Sequence, residues 1–511
     1  MPYSIRFLTG CLLAAGLATL SVEASAQGTV TLTGKISGKT ADTLAVSVRD
    51  NPLDPKEQIV YTRVDSKGEF RLAVPVKGPT KADLVYGDDV APMFLEPGNS
   101  LDVRFKGDDM AASLRFKAND VPGGLSSRLK NNTTLTPEQR RRMQGANANN
   151  YLVEADDKFV ENDGFQVLPD NIMLYEPGFL SFLDYRRKHQ RQFFDDNAEK
   201  ESFSEAFHEY AKAEIEYAYA NDRLTYQDLR EQVVATESRL KMSPTYYEFL
   251  NDKGLTNNAT ALQSELYQEF LLNYVHYMAG AAGKQRTDPD FYQACYDIAK
   301  KQLSGAVRAI VMGRVMQESF RFGHVKQSAA MLADYRTLEA GRKYYPVLQH
   351  DFETHKAFAI GAKAPDFRLL STTGDTVTLR QFAGKLVYLN FWRTTSGLCL
   401  RDLPYAAELA KRFEGKNIVF INIALDENIG AWKQLVVSKR VAGVNLQTNG
   451  NRSAVARAYA VQEVPAYFLL AEDGTFLNTK PKRLSSRAAY DEIKESFGKA
   501  STYSSNQSAE K

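Results

Sequence analysis

Polar and apolar residues alternate in short runs at 29–36, 43–49, 58–64, 69–76, 82–86 and 101–105. Turn-forming residues separate the runs, as in Asp65-Ser66-Lys67-Gly68 and Pro97-Gly98-Asn99-Ser100. Successive side chains of a strand point to opposite faces, so this pattern predicts an antiparallel β-domain with one buried face over residues 27–118. The region holds no His, no Cys and no clustered carboxylates, so catalysis is not expected there. The texture then changes. Helical spacing runs through 203–224, 261–278, 291–316 and 329–348, predicting an all-α domain over 119–356. Phe207, Tyr210, Tyr217 and Tyr219 crowd one of these windows and read as aromatic packing, since no internal repeat period accompanies them. The polar stretch 126–150, with its basic run Arg140-Arg141-Arg142, reads as a mobile linker with a solvated surface. From 357 to 500 strands and helices alternate: strand 386–392, helix 400–413, strand 418–425, helix 429–439, a hairpin of 464–470 and 475–477 around Glu472-Asp473-Gly474, and a closing helix 485–497. That order predicts an α/β layer around a central sheet, with 501–511 left as a disordered tail.

The fold class expected is therefore multidomain, which the length of 511 residues also requires, since domains typically hold roughly 100–200 residues. The first 26 residues are set apart. A basic start ending at Arg6, an apolar run from Phe7 to Leu20 and Ala24-Ser25-Ala26 make the three-part pattern of a secretory signal peptide. Leu8-Thr9-Gly10-Cys11 also has the form of a lipoprotein box, but cleavage before Cys11 would leave almost no apolar region, so this is the weaker reading. No later stretch reads as a transmembrane helix. The mature chain is expected to be exported, to the periplasm or cell envelope, without a membrane span.

Charge narrows the partners. Lys plus Arg is 64 and Asp plus Glu is 62, a net charge of +2 that gives no electrostatic case for nucleic acid or an anionic membrane. The cysteines are Cys11, Cys295 and Cys399, too few for a disulfide framework or a four-thiolate metal site. The six histidines (His189, His208, His276, His324, His350 and His355) show no metal-ligand spacing, and no metal or cofactor is expected.

Three motifs in the α/β region carry a family resemblance. Gly361-Ala362-Lys363-Ala364-Pro365-Asp366-Phe367 resembles the opening signature of the thioredoxin-like redoxins, the group of TlpA/ResA-type proteins and peroxiredoxins. Leu389-Asn390-Phe391-Trp392, then Ser396-Gly397-Leu398-Cys399 and Pro404, is similar to their active-site strand, turn and helix. Val464-Pro465-Ala466-Tyr467-Phe468-Leu469-Leu470 followed by Asp473-Gly474 resembles their cis-proline strand and hairpin. The resemblance implies a thioredoxin-like fold, a thiol–disulfide oxidoreductase activity, and clients that are proteins or peptides carrying thiols or disulfides. It also implies a cis Pro465, and a substrate site lined by Trp392, Val464 and Pro465. In such a site two thiols three residues apart open a helix, whose N-terminus lowers the pKa of the first. That thiolate attacks a disulfide and the second, shielded thiol resolves the intermediate.

Ser396 stands where the family has its first cysteine, and an oxygen cannot form the exchangeable disulfide. Arg393 and Thr395 depart from the family pattern beside it, and Asn390 lies where thioredoxin itself keeps a buried acid. Four readings follow. Cys399 acts alone on client thiols, by mixed disulfide or sulfenic acid. The fold is redox-silent and binds peptides or unfolded segments, with Cys399 a small buried hydrophobe. Ser396-x-x-Cys399 is a peroxiredoxin-like peroxidase site, although it lacks the preceding Pro and the strand Arg. Ser396 is itself a nucleophile, which would need a base from outside the α/β region. The first is the expectation carried forward, the second its close alternative. Cys295 shares a helical face with Phe291 and Ile298 and reads as core; a Cys295–Cys399 disulfide is the alternative.

Overall fold

The computed structural model describes residues 28–118 (except 50 and 55), 135–161, 171–198, 203–234 and 239–507 (except 287, 289, 462 and 487). The expected signal peptide and residues 126–134 of the polar stretch lie outside these. The chain divides into two units, Met1–Gly283 with Asp297–Val311, and Lys284–Tyr296 with Met312–Lys511. None of the described helices is long and apolar enough to cross a membrane.

In the first unit the alternating runs become two four-stranded sheets. Strands β1 (Thr29–Ser37), β4 (Glu69–Pro75), β7 (Ser100–Lys106) and β8 (Arg115–Lys117) form one, in the order β4-β1-β7-β8. Strands β2 (Thr43–Val48), β3 (Gln58–Arg63), β5 (Thr80–Tyr86) and β6 (Asp89–Leu95) form the other, β3-β2-β5-β6. In β4 every second residue is buried, so Phe70, Leu72 and Val74 enter a core shared by both sheets with Leu32, Val46, Leu84 and Val103. One pairing departs from the antiparallel expectation: β1 and β7 run parallel, Leu32 beside Leu101.

The polar stretch is partly a helix, not a linker throughout. Helix α1 (Met110–Ser113) is a single turn, whereas α2 (Pro137–Asp156) takes in the whole basic run. It starts with a capping box, Thr136 with Gln139, and a proline in its first turn. Its buried face mixes Met143, Tyr151 and Val153 with the small or amide-bearing Gly145, Ala146, Ala148 and Asn149, which dilutes the apolar period in sequence. Two adjacent asparagines clamp the two sheet edges. Asn149 accepts from the Phe94 N–H at 2.8 Å and donates to the Phe94 carbonyl at 3.0 Å, on edge strand β6. Asn150 does the same to Phe116 on edge strand β8, both at 2.9 Å. Each amide thus stands in for a neighbouring strand and closes an edge that would otherwise be open. Gly145 permits the approach, since a β-carbon there would fall 2.0 Å from the Asn99 side chain.

Behind α2 lies an aromatic core of Phe94, Tyr151, Phe194, Phe203, Phe207 and Tyr210, to which α3 (Glu176–Asn197) and α4 (Glu205–Val233) contribute. The helical windows were right in kind but not in extent: α4 runs past the window 203–224 to Val233, the helix of the window 261–278 is shifted, and the last two windows break in two. Ser264 caps α5 (Glu265–Ala281), its hydroxyl accepting from the Tyr267 N–H at 3.0 Å, so the helix starts inside the window 261–278 and runs past its end. The window 291–316 is two helices, α6 (Phe291–Gln302) and α7 (Gly305–Arg321), separated where Gly305 takes φ +51°. The window 329–348 breaks between α8 (Val325–Tyr335) and α9 (Tyr345–His355), whose first turn holds Pro346.

The second unit carries a seven-stranded mixed sheet. Its strands are β9 (Arg368–Ser371), β10 (Thr376–Thr378), β11 (Leu386–Trp392), β12 (Ile418–Ala424), β13 (Val444–Gln447), β14 (Ala466–Leu470) and β15 (Phe476–Asn478), in the order β10-β9-β13-β12-β11-β14-β15. β11, β12 and β13 are parallel neighbours, linked by α10 (Gly397–Arg412) and α11 (Ile429–Ser438), while β14 and β15 add an antiparallel hairpin. A short helix, α12 (Ala454–Ala458), precedes β14, and α13 (Ala488–Gln507) closes the chain. This is the thioredoxin-like architecture. Helix α13 extends into the stretch expected to be a disordered tail, which contains no Pro or Gly to stop it before Gln507.

Candidate functional site

Every residue of β11 is buried, as a central strand between β12 and β14 requires. It delivers the chain to a turn at the sheet's carboxyl end, where Thr394 is pinned to the buried Asp426 carboxylate by its N–H at 3.1 Å and its hydroxyl at 2.5 Å. Ser396 then caps α10: its backbone is extended (φ −89°, ψ 113°) and its hydroxyl accepts from the Cys399 N–H at 3.4 Å. Serine is among the best residues for this role, satisfying a donor that the helix itself leaves unpaired.

Cys399 lies one turn inside, 2% exposed, among Trp392, Ala424, Trp432 and Val436, with Leu403 and Val464 packed against that cluster. Burial pushes its thiol above the ordinary value. The Ser396 hydroxyl and the Arg393 backbone pull it back, the Asp402 carboxylate raises it, and Arg483 lowers it. The Val464–Pro465 peptide is cis. Both residues are half-buried.

The structure brings Ser396, Cys399 and Val464 together but removes Trp392 from any client-facing role. Trp392 is wholly buried, because β11 is enclosed on both edges and α10 and α11 contribute to the cluster that covers its end. Its indole Nε1 has no hydrogen-bond partner, and neither has that of Trp432 in the same cluster. What α10 shows to solvent beside the turn is Leu398, Leu400 and Tyr405.

Sequence reading singled out Asn390 but missed the polar layer to which it belongs. Asn390, Asn422 and Asn445 are register partners on β11, β12 and β13, and they form a ladder: Asn390 Nδ2 donates to Asn422 Oδ1 at 3.0 Å, and Asn422 Nδ2 to Asn445 Oδ1 at 3.2 Å. Asn390 Oδ1 has no partner. On the other side Asn390 pairs with Tyr467 of β14, whose hydroxyl donates to Asp402 on α10. Asp402 is 3% exposed and is gripped by Arg483, whose Nε and Nη2 donate to the carboxylate at 3.2, 3.0 and 3.1 Å. The only sequence signal for Asp402 was its place three residues after Cys399, one helical turn on.

The second thiol does not join the site. Cys295 and Cys399 are both free, so the disulfide alternative is not realised. Cys295 is fully buried on α6 and its thiol is pushed up to about 12, first by burial and then by the charge of Glu318. Among the described residues no three His, Cys, Asp or Glu side chains gather to hold a metal ion.

The redoxin family model matches residues 359–492. The thiol–disulfide oxidoreductase ResA of Geobacillus thermodenitrificans is 31% identical over 133 residues, covering 25% of this chain and 74% of the relative. The Bacillus cereus protein of the same name is 29% identical over 136 residues, covering 26% and 77%. Through this domain the chain belongs to the ResA-type thiol–disulfide oxidoreductases. A crystal structure of the thioredoxin domain of a thiol–disulfide oxidoreductase from Bacteroides vulgatus covers 27% of this chain and 96% of its own, at 21% identity and a TM-score of 0.25. The redoxin match begins before β9 and ends in α13, so it takes in the turn, the cis proline and the Asp402–Arg483 pair. The β-sheets and the helices before residue 359 lie outside it.

Proposed function

We propose that this ResA-type domain binds extended segments of client proteins, thiol- or disulfide-bearing ones among them, without a complete thiol-exchange cycle, and that the protein works after export. The observation that carries this reading is the burial of Cys399, 2% exposed behind a serine cap. Exchange needs an accessible thiolate to attack first, and a shielded thiol only resolves what the first has made. Ser396 supplies no sulfur, and Cys399 is held in the neutral, shielded state. What remains open to a client is the half-buried cis Val464–Pro465 backbone and the exposed apolar side chain of Leu398 in the first turn of α10. An open backbone segment and an exposed apolar side chain suit an extended, partly unfolded client. Export rests on the signal-peptide pattern of the first 26 residues.

Reduced peptides should bind wild type and Cys399→Ser with the same affinity by fluorescence anisotropy, and wild type should not reduce a disulfide reporter. Ser396→Cys should gain that activity. Turnover by wild type that Cys399→Ser abolishes would overturn the reading. It would establish instead the monothiol alternative, which the downward pull of Ser396 and the Arg393 backbone on the thiol favours. In the described structure no histidine bonds to Ser396, and the arginine beside Cys399 is occupied by Asp402, so neither the serine-nucleophile nor the peroxidase reading gains support.

A further inference from the structure

The two sheets of the first unit end in four edge strands, and three of these are closed or guarded. Asn149 clamps β6 and Asn150 clamps β8. β4 exposes Glu69 and Arg71 and ends in Pro75, and Asp65 takes both the N–H and the carbonyl of Glu69. Charges, proline and covering groups are what keep an edge from pairing with another chain. β3 is left open. Val64, just past it, donates to the Asp42 carbonyl at 3.0 Å, so along the ladder the even-numbered residues bond to β2. Ile59, Tyr61 and Arg63 therefore turn their N–H and carbonyl groups outward, and among the described residues no hydrogen bond reaches those groups. The side chains of the same three residues are exposed, Ile59 by 54% and Tyr61 by 73%. An unbulged, proline-free and largely apolar edge beside three protected ones is an edge kept for pairing.

We propose that β3 pairs antiparallel with β3 of a second copy of this chain, joining two β3-β2-β5-β6 sheets into one eight-stranded sheet across a two-fold axis. The strand is complementary to itself. With the axis at Val60, Ile59 lies opposite the partner's Tyr61 and Glu57 opposite the partner's Arg63, and symmetry makes each pair twice. An apolar pair and an opposite-charge pair thus share one face, while Val60 meets its own copy on the face that packs against the core. Arg49 and Ser47 of the β2 side hold the Glu57 carboxylate in place at 2.8 and 2.6 Å, whereas Arg63 is in no ion pair among the described residues. Moving the axis one residue, to Tyr61, would set Glu57 against the partner's Asp65, so the charges select the register. The proposal concerns a surface remote in sequence from the ResA-type domain and does not depend on the client-binding reading.

Sedimentation velocity of the full chain along a dilution series tests it. Wild type should sediment as a dimer that dissociates on dilution. Tyr61→Pro removes an outward N–H and spares the ladder to β2, which uses the residues on either side. It should raise the dissociation constant about tenfold or more while the urea midpoint of the first unit stays nearly unchanged. Should Tyr61→Pro fail to fold, Ile59→Lys, which puts a charge on the edge, should weaken the dimer in the same way. Val60→Cys should cross-link two copies under mild oxidation, since the axis sets that residue opposite itself with α-carbons about 4.5 Å apart, and Tyr61→Cys should cross-link far less. Wild type that stays monomeric up to about 100 μM, or a dimer that both edge variants leave intact, would overturn the proposal. Faster cross-linking through Tyr61→Cys than through Val60→Cys would overturn the register. A monomeric wild type that binds a reduced, extended peptide, with binding lost in Tyr61→Pro, would also overturn it and assign the edge to a client. These variants leave the Ser396 turn and the cis proline untouched, so the client-binding reading can fail separately.

Discussion

Two helices of this protein press a buried polar side chain against a sheet, and they do so in opposite styles. In the first unit, α2 uses Asn149, a neutral amide with every polar atom satisfied: it takes the Phe94 N–H and gives to the carbonyls of Phe94 and Gly145. In the second, α10 uses Asp402, an anion that must be matched by Arg483 and Tyr467. Around Asp402 the accounting is incomplete, with Asn390 Oδ1 and the indole nitrogens of Trp392 and Trp432 unpaired. A neutral, fully bonded amide is enough to hold a helix on a sheet edge. A buried charge pair is weak as a stabiliser and is strongly felt by whatever titrates beside it. The contrast separates polar burial that serves the fold from polar burial that serves a site, and it locates the second kind under Cys399.

The comparison breaks most easily at Asn149. Asn149→Ala leaves the N–H and carbonyl of Phe94 buried without partners, and should lower stability by about 3 kcal/mol, read as the urea midpoint of the first unit's transition. Cys399 labelling should not change. Next comes Asp402→Asn, which keeps the shape and loses the charge. Its cost should be smaller, about 2 kcal/mol, while Cys399 labelling rises. If Asp402→Asn costs as much as Asn149→Ala and leaves the thiol unaffected, the two helices are of one kind and the distinction fails. Ser396→Ala should cost about 1 kcal/mol through the lost cap, with peptide binding retained. Loss of binding there would mean that the serine touches the client.

The smallest effect is on pH dependence. Burial and Asp402 hold the Cys399 thiol above the ordinary value, so the folded chain keeps its proton where the unfolded chain, near pH 8.5, begins to lose it. That contribution to stability is complete below the unfolded value and fades as pH rises toward the folded one. The same sign holds more strongly for Cys295, whose thiol is pushed up to about 12. Unfolding midpoints of Cys399→Ser and Cys295→Ser between pH 8 and 10 should therefore fall less steeply than that of wild type.

Much of the fold was legible. Alternation found β1 to β5 and β7, but it passed over β6, whose Pro92 breaks the pattern and is tolerated because β6 is an edge strand, and β8, only three residues long. Helix α2 was hidden because Gly145, Ala146, Ala148 and Asn149 interrupt its bulky buried residues Met143, Tyr151 and Val153, and periodicity reads apolar bulk. The site's address was legible in two local motifs, the Ser396–Cys399 turn and the Val464–Pro465 strand. What was not legible is non-local: Arg483 reaches Asp402 across 81 positions, and the Asn390–Asn422–Asn445 ladder exists only in the register of three strands. Trp392 was misjudged because a motif gives the place of a residue and not the side of the sheet that closes over it.

The most direct measurement is the alkylation of the two free thiols in the folded, full-length protein at pH 7.5, read by peptide mass and compared with the denatured chain. The account predicts that Cys399, like Cys295, stays unmodified over the time in which the denatured chain reacts to completion. Labelling of Cys399 in the folded chain at the rate of a free thiol, with Cys295 still protected, would contradict it and make this a working monothiol site.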